Sequence, residues 1–225
     1  MDPKQRAGEA ALQYLRDGMV IGLGTGTTAK FFIQAVGSAL RSGGLRDVRG
    51  VPTSVNSERL ARESGLSVIT FSQIKKIDIT VDGADEVTPE LTLIKGLGGA
   101  LLREKLVAQN SDRVIIIVDQ SKVVQMLGTR SPLPVEVTPF GQEANARFLA
   151  DLGCTPILRR HPDGAIFLTD NQNYILDCKF TEIADPRGLD RKLADRAGIV
   201  ESGLFLDLAD VAIIADENSV RTITP

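Results

Sequence analysis

Residues 78–86 read D-I-T-V-D-G-A-D-E and crowd three carboxylates, Asp82, Asp85 and Glu86, into five positions after an apolar run. Like charges so close repel, so a purely structural segment tends to avoid them. Two readings stand: a solvated turn, or a site that uses the carboxylates. A second equipped stretch, G-L-G-T-G-T-T at 22–28, sets the hydroxyls of Thr25, Thr27 and Thr28 around Gly26, on a tight turn between strand and helix. Backbone N–H groups and a helix N-terminus receive anions at such a place. The loop is not a dinucleotide fingerprint, because Gly26 comes one residue early and Thr27 stands where glycine is required. The next strand ends in V-P-T-S-V, without an acidic residue for a ribose diol, and no G-K-[ST] follows. Phosphate or sugar contact suits the loop. A threonine acting only as helix N-cap is the alternative, and it accounts for one hydroxyl of three.

A third stretch, I-K-G-L-G-G-A-L-L-R-E-K at 94–105, is another glycine-rich turn opening a helix. Lys95 precedes Gly96, Leu97 and Gly98, and Glu104 falls in the early turns of the helix. The apolar run V-I-I-I-V at 114–118 then ends in D-Q-S-K, which places Asp119, Ser121 and Lys122 at its carboxyl end. Each feature has a bland reading by itself: a surface lysine, a glutamate complementing the helix dipole, a solvated turn. Together they collect at the carboxyl edge of one sheet, where ligands bind in open α/β folds. The conjunction favours a site.

The elements that must position these residues follow from periodicity. Residues 5–17 carry a helical apolar stripe that Gly18 closes; 19–24 reads as a buried strand and 28–40 as the next helix. Strands are expected near 48–51, 67–70, 77–81 and 114–118, with helices near 56–64 and 100–109. This alternation predicts an α/β fold with a Rossmann-like, mostly parallel sheet. After S-P-L-P at 131–134 the pattern becomes strand 134–138, helix 141–152, strand 155–160, strand 164–168 continuing toward 174–178, helix 188–196 and strand 199–205. That βαββαβ order is the split unit of ferredoxin-like domains. The expected organisation is a Rossmann-like catalytic domain, 1–130 plus 206–225, with an inserted ferredoxin-like α+β domain, 131–205, as the expected oligomer contact. V-A-I-I-A at 211–215 and R-T-I-T at 221–224 rejoin the first sheet.

Composition bounds the partners. The 225 residues are 43% hydrophobic and 24% charged, with a net charge of −3, which fits a globular protein with a real core. The acidic balance, with aromatics at only 4% and no Trp, argues against nucleic acid and anionic membrane as partners. The charged start M-D-P-K-Q-R lacks the apolar region of a leader, and no stretch reaches the roughly 18 apolar residues of a spanning helix. Cys154 and Cys178 match no metal or redox spacing and favour a reducing, cytoplasmic compartment. The single histidine, His161, lies in the turn R-R-H-P-D-G and reads as structural.

G-L-G-T-G-T-T, D-G-A-D-E, K-G-x-G-G-A-L-x-R-E-K, D-x-S-K and P-L-P-V-E-V occur in the order seen in type A ribose-5-phosphate isomerases, and the βαββαβ tail is similar to theirs as well. The resemblance implies interconversion of D-ribose 5-phosphate and D-ribulose 5-phosphate in the pentose phosphate pathway, in a homodimer or homotetramer. It implies Glu104 as the base moving a proton between C2 and C1, and Lys95 as the stabiliser of the enediolate oxygen. Asp82 and Asp85 would bind sugar hydroxyls and assist ring opening, within the stretch that includes Gly83 and Ala84. Thr25, Gly26, Thr27, Thr28 and Lys122 would contact the substrate, mostly at its phosphate, with Lys4 as a further phosphate contact. Leu97 stands where family members often carry glycine, which restricts φ and adds bulk beside the substrate. Glu86 reads as a solvated charge or a local salt bridge.

The chemistry is consistent with those roles. An aldose–ketose isomerisation needs a base at carbon, a positive charge or donor at the developing oxyanion, and a phosphate grip. Because the hydrogen moves as a proton, no cofactor is expected, and no metal is required if Lys95 supplies the charge. The rivals are a non-catalytic sugar-phosphate sensor, an amino-sugar phosphate deaminase and a CoA transferase. A sensor would bring a DNA-binding segment, a deaminase would use a catalytic histidine that His161 is poorly placed to be, and a transferase would bind CoA.

Overall fold

The computed structural model describes residues 1–224. In chain order its elements begin with α1 (Pro3–Ala10), β1 (Val20–Leu23), α2 (Thr27–Arg41), β2 (Arg49–Pro52), α3 (Val55–Glu63), β3 (Ser67–Val68) and β4 (Ile79–Asp82). Next come β5 (Glu86–Val87), β6 (Leu93–Ile94), α4 (Leu101–Gln109), β7 (Val114–Asp119), β8 (Leu133–Val137) and α5 (Gln142–Asp151). The chain closes with β9 (Thr155–Leu158), β10 (Tyr174–Lys179), α6 (Pro186–Ala194), β11 (Ile199–Ser202), β12 (Leu204–Phe205), β13 (Val211–Ala215) and β14 (Val220–Ile223). Among the described residues no helix is long and apolar enough to cross a membrane.

These elements form two compact units. One holds Met1–Ala84, Arg103–Val123 and the chain from Asp207 onward; the other holds Asp85–Leu102 and Val124–Leu206. Residues 85–102, expected with the first domain, group with the second unit. The reason is hydrogen bonding: β5 pairs with β6 and β6 with β12, in a three-stranded antiparallel sheet. The expected range of the first domain ends at Pro225, which lies outside the described residues.

The first unit is built on a seven-stranded sheet of order β14-β13-β7-β4-β1-β2-β3. Every pairing in it is parallel except β13 with β14, as expected of an α/β fold with a mostly parallel sheet. The strand β7, V-I-I-I-V-D, lacks polar alternation because it is covered on both faces; Val114–Val118 are all buried. Helix α2 buries Ala29, Phe32, Ile33 and Val36, one face of a 3.6-residue period, in a core with Ile21, Leu23, Ile79, Val81, Ile115 and Ile117. The first helix is shorter than its apolar stripe predicts. It leaves the α conformation at Ala10 and tightens into a 3₁₀ turn, Ala11–Tyr14, before Leu15 turns extended. Strand order reverses between β1 and β4, so this sheet has its topological switch point there. The carboxyl end of β1 runs into the threonine loop, and that of β4 is Asp82.

The second unit contains a four-stranded antiparallel sheet of order β11-β8-β10-β9, packed on a core that includes Leu133, Val135, Val137, Leu149, Leu176 and Leu193. The strand expected at 164–168 is reduced to one bridge between Ile166 and Arg160. The preceding turn closes tightly on itself, His161 N–H donating to Ala165 O at 2.8 Å and Gly164 N–H to His161 O at 2.9 Å.

Candidate functional site

At the switch point, Asp82 organises the threonine loop. Its Oδ1 accepts the N–H of Thr25 at 3.0 Å and that of Gly83 at 2.7 Å, while the side chain is only 2% exposed. The approach demands glycine at position 24, because a Cβ there would lie 2.1 Å from Asp82 Oδ1 and 2.5 Å from Asp82 Cα. Thr25 is committed to the loop itself: its Oγ1 lies 2.8 Å from both Thr53 Oγ1 and Ser54 Oγ. Thr53 and Ser54 are buried and were not singled out by sequence. Their only signal is two adjacent hydroxyls at the carboxyl end of β2, within V-P-T-S-V.

The N-cap of α2 is Gly26, with no side-chain hydrogen bond capping it. None of the three threonines therefore acts as the cap, and the first turn offers its N–H groups and dipole to an anion. Thr27 is exposed there and Thr28 is buried. A cavity of about 460 Å³ opens beside the loop, lined among others by Gly24, Thr25, Thr27, Lys30, Asn56 and Arg59.

The other site residues of the first unit stand on other elements. Lys122 ends a 3₁₀ turn, Gln120–Lys122, that follows β7 and is capped by Asp119; the Asp119 carboxylate takes the Ser121 N–H at 2.9 Å and the Ser121 hydroxyl. Lys122 is half-buried. Lys4, in the first turn of α1, lines a cavity of about 310 Å³ that Asp119, Ser121, Asp216 and Glu217 share. Glu104 stands in the first turn of α4 and is 5% exposed. That location complements the helix dipole, yet the burial excludes a solvated helix-face charge.

In the second unit, Lys95 follows β6 and is 3% exposed. Its N–H donates to Gly203 O at 2.9 Å and its Nζ sits 5.3 Å from the centre of the Phe205 ring, a cation–π distance. Asp85 is half-buried and fastens the glycine turn: its N–H donates to Ile94 O at 2.8 Å, and its Oδ2 accepts the Leu97 N–H at 2.9 Å. Gly96 takes a φ of 105° and Gly99 one of 79°, while Leu97 is absent from the left-handed region. The leucine therefore costs no backbone strain. Its side chain is 41% exposed and Gly98 is exposed; Gly83 and Ala84 are half-buried.

Glu86 departs from the expectation of a solvated charge or salt bridge. It is fully buried, and its two oxygens accept backbone N–H groups from Gly128 at 2.7 Å, Arg130 at 2.7 Å and Ser131 at 2.6 Å. It anchors the loop before β8. Cys154 and Cys178, remote in sequence, prove to be neighbours, both buried and free. Their mutual hydrogen bond, followed by burial, pushes the Cys178 thiol far above its ordinary range. Among the described residues there is no group of three His, Cys, Asp or Glu side chains that could hold a metal ion.

Comparison with known proteins identifies the family of this chain. Residues 49–219 match the model of the family described as ribose 5-phosphate isomerase A (phosphoriboisomerase A). The chain is 50% identical over 223 residues to the ribose-5-phosphate isomerase A of Gloeobacter violaceus, covering 99% of this chain and 96% of that one. It is 47% identical over 218 residues to the same-named protein of Desulfatibacillum aliphaticivorans, covering 97% and 95%. Among solved structures, a D-ribose-5-phosphate isomerase in complex with phospho-erythronic acid superposes with a TM-score of 0.96 at 37% identity, covering 100% and 98%. The Plasmodium falciparum ribose 5-phosphate isomerase does so with a TM-score of 0.95 at 39% identity, covering 99% and 97%. The chain belongs to the ribose 5-phosphate isomerase A family.

Proposed function

We infer that this protein is an aldose–ketose isomerase interconverting D-ribose 5-phosphate and D-ribulose 5-phosphate, a step of the non-oxidative pentose phosphate pathway. The observation that carries this reading is the end-to-end similarity to ribose-5-phosphate isomerases A, 50% identical over 99% of the chain. The sensor reading has no observation in its favour.

In the proposed reaction the uncapped N-terminus of α2, with Thr27, Thr28 and Lys122, holds the phosphate of the open-chain sugar, and Lys4 adds charge. Thr25 and Gly26 shape that grip, since the Thr25 hydroxyl is already bonded to Thr53 and Ser54. Asp82 and Asp85 accept from sugar hydroxyls, flanked by Gly83 and Ala84, and assist ring opening. The Glu104 carboxylate removes the proton from C2 of the aldose. Electrons move to the aldehyde oxygen, and the Lys95 ammonium stabilises the resulting enediolate. The C2 hydroxyl proton passes to the oxygen on C1, giving the enediol, and as the C2 oxygen becomes the carbonyl the proton held by Glu104 is delivered to C1. No hydride moves and no atom is gained or lost, so no redox cofactor is called for. Gly96, Leu97 and Gly98 line the sugar with their backbone.

The same proposal takes residues 1–130 and 206–225 as the Rossmann-like catalytic domain. The strand order β11-β8-β10-β9 supports reading the four-stranded sheet and its two helices as an inserted ferredoxin-like domain. That domain is the proposed contact of a homodimer or homotetramer, and the proposed compartment is the cytoplasm. The test is ketopentose formation from D-ribose 5-phosphate by the purified protein. Glu104→Gln should lower turnover by about 10²–10⁴-fold; turnover at the wild-type rate would remove Glu104 from the mechanism.

A further inference from the structure

The motif R-R-H-P-D-G contributes one residue that the reaction as described does not use. Arg159 follows β9 and continues its pairing, its N–H donating to Ile175 O at 2.9 Å. Its guanidinium makes four hydrogen bonds. Nε and Nη2 grip the two oxygens of Asp177, on β10, at 2.8 and 2.5 Å. Nη1 donates to the carbonyls of Gly96 at 3.1 Å and Leu97 at 3.0 Å. The pair is largely buried, 12% exposed at Arg159 and 20% at Asp177. The Phe167 ring lies 5.5 Å from the guanidinium carbon and also fills the space where a Cβ on Gly99 would sit, at 2.4 Å.

One peptide unit, Gly96–Leu97, is thus held at both ends: its carbonyl by Arg159 and its N–H by Asp85. A trans peptide is planar with N–H and C=O opposed, so two fixed ends leave it no freedom to rotate. The same guanidinium fixes the next carbonyl, which sets the direction of the Gly98 N–H. The turn, with a φ of 105° at Gly96 and Gly98 exposed, also closes on itself, the Gly99 N–H donating to the same Gly96 carbonyl at 3.0 Å. We propose that Arg159, held by its fork on Asp177, is a positioning residue for the isomerisation: it fixes the backbone of the 96–98 turn, and so the backbone surface against which the sugar lies. Only a guanidinium can do this, because an ammonium cannot serve the Asp177 carboxylate and two carbonyls in one plane.

The proposal rests on the isomerase reading, so wild-type turnover of D-ribose 5-phosphate is measured first; its absence would sink that reading and leave this one without a reaction. Removing one partner of a buried pair destabilises strongly, whereas removing both leaves no unpaired charge. The principal variant is therefore the double substitution Arg159→Met with Asp177→Asn, with Arg159→Lys as the second. The thermal midpoint, kcat and KM are measured, together with competitive inhibition by inorganic phosphate. A misplacement of order 1 Å costs up to about 10²-fold in rate, so kcat should fall by about tenfold to 10²-fold. Phosphate inhibition should stay unchanged, because the threonine loop is untouched. Arg159→Lys should show the same fall. A folded double variant with wild-type kcat overturns the proposal, as does weakened phosphate inhibition in step with lost activity, which marks a general structural role. If the double variant does not fold, Arg159→Lys decides alone, and full activity there overturns it.

Discussion

Glu86 offers a test in which two readings of one residue differ by several kcal/mol. A solvated carboxylate in a turn should tolerate replacement within about 0.5 kcal/mol. The structure instead buries it completely and gives it three backbone donors, from Gly128, Arg130 and Ser131. In Glu86→Ala all three lose their acceptor. A buried donor left unpaired costs about 1–3 kcal/mol, so the sum is roughly 3–9 kcal/mol. The Arg130 and Ser131 bonds are only part-buried, and water replacing them moves the value toward the lower half of that range. Against a typical total stability of about 5–15 kcal/mol, the alanine variant should lose a large share of its stability. Glu86→Gln is the finer probe. Its oxygen can keep the Arg130 and Ser131 bonds, but its NH₂ then faces the Gly128 N–H, donor against donor, at a cost of about 1–3 kcal/mol. At about 2–4 °C per kcal/mol for a chain of this size, the thermal midpoint should drop by about 2–12 °C. Calorimetric unfolding of wild type and both variants reads this directly. If Glu86→Ala melts with the wild type, the carboxylate does not anchor the loop and the reasoning fails.

Other expectations are equally specific. Gly24→Ala forces a Cβ to 2.1 Å from Asp82 Oδ1; it should destabilise by about 1–3 kcal/mol as an overpacked site and raise KM for the sugar phosphate, and a variant with wild-type KM and midpoint contradicts this. The Asp216 carboxyl is held below its usual range, first by the Asn218 N–H, then by the Ser219 hydroxyl and N–H. A depressed folded pKa contributes stability above the ordinary aspartate pKa and loses it as pH falls through the folded value. Asp216→Asn should therefore lower the midpoint at neutral pH, with the difference shrinking as pH falls below the usual aspartate range; a difference constant with pH rules out the linkage.

How much of this was legible in the sequence depended on where each residue's partners lie along the chain. The threonine loop, α2 and β7 were readable because local periodicity and turn chemistry define them. The carboxylates of D-G-A-D-E separated only in three dimensions. Asp82 bonds to a loop 57 positions upstream, and Glu86 to backbone 42 to 45 positions downstream. No local pattern signals either. The two-residue strands β5 and β6 carry no periodicity of their own and exist through pairing, β6 with Leu204–Phe205. That hidden pairing moved residues 85–102 from the expected first domain to the second unit. The neighbouring cysteines were invisible for the same reason: Cys178 lies on β10, paired in register with β9, which begins just after Cys154.

The central claim, a cofactor-free proton transfer on D-ribose 5-phosphate, is tested most directly by proton NMR in D₂O with EDTA present. The account predicts that ribulose 5-phosphate appears with solvent deuterium at the exchanging carbon, and that a folded Glu104→Gln protein is nearly silent beside it. Sugar that remains unchanged and undeuterated in the presence of the folded wild-type protein would contradict the account.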